Sequence, residues 1–148
     1  MVKKRNIIKL IIILFLSILL SILLLKLNLF DIKTFQELGN DFQYNAITVS
    51  ATIAGFLFTG ISLLISTIGY DHIKRLWDNN YLDNLYRAGF IGIAANIITI
   101  ILAVIVLYAN IEEKIEYYMI NIQYLSMVLS FVFFIWCLKK IIRIQNII

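Results

Sequence analysis

Four long apolar segments, separated by short polar connections, constrain the fold of this chain more than any other feature. A helix needs about 20 mostly apolar residues to cross a hydrocarbon core of about 30 Å. Each segment approaches that length, and 61% of the 148 residues are hydrophobic, well above the usage of a soluble domain. We therefore predict an all-α fold, a single integral membrane domain. It is a bundle of four transmembrane helices in up-down-up-down order, with spans at about 7–25, 46–68, 88–108 and 117–138.

The first segment also has features of a secretory signal peptide, because a basic start, MVKKRNIIK, precedes an apolar core. That core, LIIILFLSILLSILLL, is longer than the usual apolar core of about 7–15 residues. KLNLF follows it without a small-x-small cleavage site. We therefore expect a retained first span.

The basic residues lie mainly on one side of the predicted membrane. Ten of the 13 Lys and Arg residues fall in the N-terminal segment, the connection 70–87 and the C-terminal tail, and three fall on the other side. The positive-inside rule then places both termini and this connection in the cytoplasm, and the predicted location is the cell (inner) membrane. The connection on the opposite side contains a predicted interfacial helix at 30–42, which Gly39 and Asn40 end or bend.

The second span carries small and hydroxyl residues at spacings of three or four, which places them on one face of a helix. We number the helices of the four predicted spans α1 to α4 in chain order and call this face the α2 stripe. Its members are Thr48, Thr52, Gly55, Thr59, Ser62 and Ser66. The third span has a shorter counterpart, Gly92, Asn96 and Thr99. Such residues let helices approach closely and hydrogen-bond, or they face a wetted path.

Two interpretations of these stripes stay open at this point. The two faces pack on each other within one protomer, or the second helix lines a shared axis in a homo-oligomer. An amide deep in a span needs a partner, and Thr59 and Ser62 match the depth of Asn96 on the antiparallel neighbour. Gln123 lies near the start of the fourth span, within reach of headgroup water, so we predict no deep role for it.

The sequence lacks the residue patterns that most chemistry requires. It holds no metal-ligating cluster, no phosphate-binding glycine loop and no nucleophile motif, so we predict no catalytic, cofactor or metal site. Cys137 is predicted to be a small buried hydrophobe. The basic residues lie beside spans rather than among aromatic residues, which argues against nucleic-acid binding.

We predict a non-enzymatic, self-associating membrane protein that acts as a membrane-perturbing or pore-type effector subunit. In size and in its lack of catalytic groups it is similar to the small multi-span subunits of toxin and phage-defence systems, a likeness of format alone. A membrane anchor for a cytoplasmic protein partner is an alternative, in which His72, Lys74 and Arg75 contact the partner or the lipid bilayer. A channel or transporter subunit for a small solute or ion is another alternative.

Overall fold

Four helices account for nearly all of the chain that can be described. The computed structural model describes residues 2–26, 32–67, 81–109 and 111–145, and no strand occurs within these ranges. The helices are α1 (Val2–Lys26), α2 (Ile32–Thr67), α3 (Tyr81–Tyr108) and α4 (Glu113–Gln145). The all-helical fold predicted from the sequence is confirmed.

Three of these helices are long and apolar enough to cross a membrane. The stretches that qualify are Glu37–Ser66 in α2, Leu82–Tyr108 in α3 and Glu113–Ile144 in α4. In α1 the apolar stretch among the residues whose side chains are described is Leu10–Leu23. Many large apolar side chains on the outside of the bundle are exposed, among them Phe56, Phe90 and Ile135. Such a surface suits lipid rather than water, so the fold is that of a membrane protein.

A glycine interrupts α2 near its beginning. Gly39 has φ 53° and ψ −126°, whereas the residues on both sides are helical. A side chain makes this positive-φ conformation costly, and glycine adopts it readily. The non-helical backbone at Gly39 separates two helical parts of α2, 32–38 and 40–67, and it lies where the sequence predicts that the helix at 30–42 ends or bends.

Helices α2, α3 and α4 form the centre of the bundle, and α1 packs mainly against α4. The buried core includes Leu57 of α2, Leu85 of α3 and Phe133 of α4. The position of a Cβ on Gly92 would be 2.9 Å from Leu57 Cδ1 and 3.4 Å from Phe133 Cβ. The absence of a side chain at Gly92 thus lets three helices meet closely.

Pairs of contacting residues give the relative directions of the three central helices. Thr99 of α3 meets Ser126 of α4, whereas Gly92 lies beside Phe133, so these two helices are antiparallel. Gln43 contacts Gln123, and Gly60 lies beside Ile141, so α2 and α4 run in the same direction. The structure thus shows alternating directions from α2 to α4.

Candidate functional site

The α2 stripe lies on the outside of the single chain. Its six members, Thr48, Thr52, Gly55, Thr59, Ser62 and Ser66, are all exposed. The opposite side of the helix is buried in the bundle and consists of Gln43, Ala46, Ser50, Ile53, Leu57, Ile61 and Leu64. With 3.6 residues per turn, the centres of the two sets are about half a turn apart. The residues of the stripe therefore do not pack against the other helices of the chain.

Each hydroxyl of the α2 stripe donates to a carbonyl oxygen of its own helix. The acceptors lie three or four residues earlier: Tyr44 for Thr48 at 2.9 Å, Thr48 for Thr52 at 2.7 Å, Gly55 for Thr59 at 2.8 Å, Phe58 for Ser62 at 2.8 Å and Leu63 for Ser66 at 3.0 Å. These bonds satisfy the hydroxyl hydrogens without a second helix. The oxygen lone pairs remain available on the exposed face.

The two glycines of the predicted stripes lie in opposite environments. A Cβ built on Gly55 meets nothing within 4 Å, whereas the same position on Gly92 is crowded by α2 and α4. Gly92 therefore serves packing inside the chain. Gly55 leaves an indentation on the outer face of α2, where a second helix has room to approach.

The α3 residues of the predicted site are buried. Asn96 and Thr99 are both fully inaccessible. The Asn96 amide nitrogen donates to the carbonyl oxygen of Gly92 at 2.9 Å, and its Oδ1 has no partner among the described residues. Thr59 and Ser62, the partners predicted from the sequence, lie on the exposed face of α2, so this pairing is wrong. The two stripes do not face each other in the single chain.

A polar cluster that the sequence analysis missed connects the three central helices. We call it the interior polar cluster, and it consists of Gln43, Thr99, Gln123 and Ser126. Gln123 Nε2 donates to Gln43 Oε1 at 2.8 Å. The hydroxyls of Thr99 and Ser126 are 2.7 Å apart, and Ser126 also donates to the carbonyl of Gln123 at 2.9 Å. The prediction that Gln123 has no deep role is therefore wrong.

A signal for this cluster is present in the sequence. Gln123, Ser126, Ser130, Phe133 and Cys137 follow one another at spacings of three, four, three and four. All five are buried. This is the seven-residue pattern of a helix that packs along one seam. The predicted location of Gln123 near headgroup water concealed the pattern.

Other predicted residues have separate outcomes. Cys137 is fully buried, as the sequence predicts for a small hydrophobe. His72, Lys74 and Arg75 lie outside the described residues. Within the ranges that the structure covers, no group of three or more His, Cys, Asp or Glu side chains is arranged to hold a metal ion.

No protein-family model matches the chain, and neither a curated protein nor a solved structure is significantly similar to it.

Proposed function

We propose that this chain is a four-span protein of the cell membrane, with both termini in the cytoplasm, that self-associates through the α2 stripe. The assembled protein acts as a membrane-perturbing effector by forming a narrow, water-permeable path. In this proposal α1 is the first span, anchored by the basic residues that precede it. The excess of Lys and Arg on one side supports the orientation.

The observation that carries this proposal is the exposure of the α2 stripe on the side opposite the buried face of its helix. From Thr48 to Ser66 the members are four, three, four, three and four residues apart. A seven-residue repeat of this kind keeps one seam facing a partner helix over its whole length. Small residues in such a seam let several copies of α2 come close to a shared axis, which the stripe of each copy faces. Further copies of α2 meet both requirements.

The side chains beside the stripe also suit an interface between copies. Phe56 and Phe58 lie on opposite flanks of the stripe, and they are 63% and 66% exposed. Large side chains on both flanks supply apolar contact area between neighbouring helices, while the stripe between them stays polar. When several α2 helices surround an axis, the stripe of each helix faces the axis. The phenyl groups of Phe56 and Phe58 then pack against adjacent copies.

The hydroxyl oxygens give such an axis its chemistry. Their hydrogens are bound to carbonyls of the same helix, so the oxygens present acceptor lone pairs outward. Acceptors repeated around an axis accept hydrogen bonds from water and coordinate small cations, as pore-lining oxygens do in channels. Among the described residues the stripe contains no ionisable side chain, so the proposed path carries no fixed charge.

Induced expression in cells loaded with a potential-sensitive dye tests this function. We expect the wild type to depolarise the membrane, and Thr59→Leu and Ser62→Leu to reduce depolarisation at equal protein level. Thr59→Ser keeps a hydroxyl and should retain the activity. Val104→Leu, at an exposed position of α3, controls for added apolar bulk. A normal membrane potential at high wild-type expression contradicts the proposal.

A further inference from the structure

A basic pocket lies where the C-terminal end of α4 meets the beginning of α3. Its volume is about 210 Å³, and its described lining is Asn84, Trp136, Lys139, Lys140 and Arg143. Three of these five side chains are cations and none is a carboxylate. The Lys140 ammonium lies 5.3 Å from the centroid of the Trp136 ring, within cation–π range. This lining is complementary to an anionic group.

Asn84 adds a hydrogen-bonding requirement to the basic pocket. The residue is 6% exposed, and its Oδ1 is buried with no partner among the described residues. A buried acceptor without a donor is unfavourable, so a ligand that brings a hydroxyl or amine satisfies this atom. The pocket therefore combines cations with an acceptor. Phosphate esterified to a polyol has both matching groups.

An apolar groove between α1 and α4 adjoins the basic pocket. Its volume is about 290 Å³, and its lining is Ile13, Leu16, Ser17, Leu20, Val132, Ile135, Trp136 and Lys139. Trp136 and Lys139 line both cavities. From these two residues the groove continues to Ile135 and Val132, away from the charged end of α4. A free phosphate ion uses only the pocket, whereas a lipid uses the pocket and the groove together.

We propose that the pocket and the groove bind one anionic phospholipid with a hydroxyl-bearing headgroup, of the phosphatidylglycerol class. Lys139 and Arg143 bind the phosphate, and a headgroup hydroxyl donates to Asn84 Oδ1. One acyl chain lies in the groove between α1 and α4. Basic sites between membrane helices bind anionic headgroups by the same physical principle. This site is on α1, α3 and α4, and it does not depend on the function proposed for the α2 stripe.

Fluorescence quenching of Trp136 in the full chain tests the lipid site. The chain has two Trp residues, so Trp77→Phe leaves Trp136 as the reporter. In phosphatidylcholine vesicles, we expect brominated phosphatidylglycerol to quench more than brominated phosphatidylcholine at equal mole fraction. The excess should saturate at about one lipid per chain. Saturation distinguishes a site from diffuse attraction of anionic lipid to a basic surface.

Two sets of variants locate the site. Lys139→Gln with Arg143→Gln changes exposed side chains and should lower the preference for phosphatidylglycerol roughly tenfold, since each removes one contact to the anion. Lys26→Gln with Lys114→Gln removes the same charge outside the pocket and should retain the preference. Asn84→Leu should lower the preference for phosphatidylglycerol over phosphatidic acid, whose headgroup has no glycerol hydroxyls, several-fold at a pH of about 9, where the phosphomonoester has lost its second proton. Circular dichroism checks that helix content is unchanged.

Three results would overturn the lipid proposal. The first is equal quenching by the two brominated lipids, and the second is an unchanged preference in the variant with Lys139→Gln and Arg143→Gln. The third is relief of quenching by millimolar inorganic phosphate, which would identify a site for a free ion. Retained preference with added phosphate supports a lipid that also occupies the apolar groove.

Discussion

Gln43 and Gln123, which are 80 positions apart in sequence, form a side-chain hydrogen bond of 2.8 Å between α2 and α4. Both side chains are buried, with 2% and 0% exposure. The bond joins the two helices near the end of the bundle where both begin. It lies next to the Thr99–Ser126 contact, so the interior polar cluster fixes the depth of all three central helices relative to one another.

The first prediction concerns this pair of glutamines. Gln43→Leu leaves the Gln123 amide nitrogen without its acceptor in the interior, so we expect the free energy of unfolding to fall by about 1–3 kcal/mol. Adding Gln123→Leu should recover part of this loss. The interaction free energy of the two amides from the double-mutant cycle should be about 0.6 kcal/mol and at most about 1.7 kcal/mol. Unfolding by dodecyl sulfate in mixed micelles, followed by circular dichroism, measures these values.

A matched control for the glutamine pair is Asn121→Leu. The Asn121 amide donates to the carbonyl of Tyr117 in its own helix, at 2.8 Å, so this bond does not join two helices. We expect a change within about 0.5 kcal/mol. Strictly additive effects of Gln43→Leu and Gln123→Leu would show that the two amides do not interact.

The second prediction compares two glycines. Gly92→Leu places a side chain where Leu57 and Phe133 already lie, and overpacking of this kind should cost about 1–3 kcal/mol or more of the free energy of unfolding. A Cβ on Gly55 meets nothing within 4 Å, and the position is on the exposed face of α2, so Gly55→Leu should retain stability. The same substitution fills the seam of the α2 stripe and should weaken self-association. Analytical ultracentrifugation in detergent measures the weakened self-association. Equal destabilisation of the fold by Gly92→Leu and Gly55→Leu would contradict the prediction.

The third prediction concerns contacts between copies of α2. In a Cys137→Ala background, Gly55→Cys, Thr59→Cys and Ser62→Cys should form disulfides between protomers under mild oxidation. Leu57→Cys and Leu64→Cys lie on the buried face, with 2% and 3% exposure in the parent residues, and should not. Non-reducing electrophoresis of membranes gives the result. Crosslinks confined to positions 57 and 64 would contradict self-association through the stripe.

The fourth prediction concerns the bend in α2. Gly39→Ala forces a side chain into a positive-φ conformation, so we expect a loss of about 1–2 kcal/mol in the free energy of unfolding. Gly60→Ala is the control, since its Cβ would lie 3.6 Å from Ile141 Cδ1, an ordinary contact. It should be neutral or stabilising by up to about 1 kcal/mol through helix propensity. Mixed-micelle unfolding compares them, and an unaffected Gly39→Ala would refute the argument.

The presence of long apolar helices was predictable from the sequence, because the length and hydropathy of an apolar segment are local properties. The predicted spans 88–108 and 117–138 fall inside α3 and α4, which extend beyond them. The helical part of α2 that contains the second predicted span, 46–68, begins directly after the bend at Gly39, several residues earlier than predicted. The sequence correctly singled out Gly39 as the place where the two helical parts of α2 separate. A helix can continue past the hydrocarbon, and hydropathy does not report that extension.

The outward direction of the α2 stripe was harder to predict. Spacing showed which residues share a face, but it did not show whether that face turns toward α3 or away from it. The buried face of α2 contains its own small and polar residues, Gln43, Ala46 and Ser50. Both faces of α2 therefore fit a packing seam, and only the positions of α3 and α4 distinguish them. The same ambiguity led to the wrong partners for Asn96.

The contact between α1 and α4 implies an order of assembly. In the proposed four-span topology, α1 is made before α4, the helix that it mainly contacts, so it resides in lipid without this neighbour while the chain between Lys26 and Glu113 is made. At roughly 5–20 residues per second, that delay is about 4–17 s. Ser17 and Ser21 of α1 are buried in the finished bundle, yet each donates to a carbonyl of its own helix, at 2.7 Å and 2.9 Å. In the proposed four-span topology, α1 is therefore stable in the bilayer before α4 is made, because its two serine hydroxyls are already hydrogen-bonded.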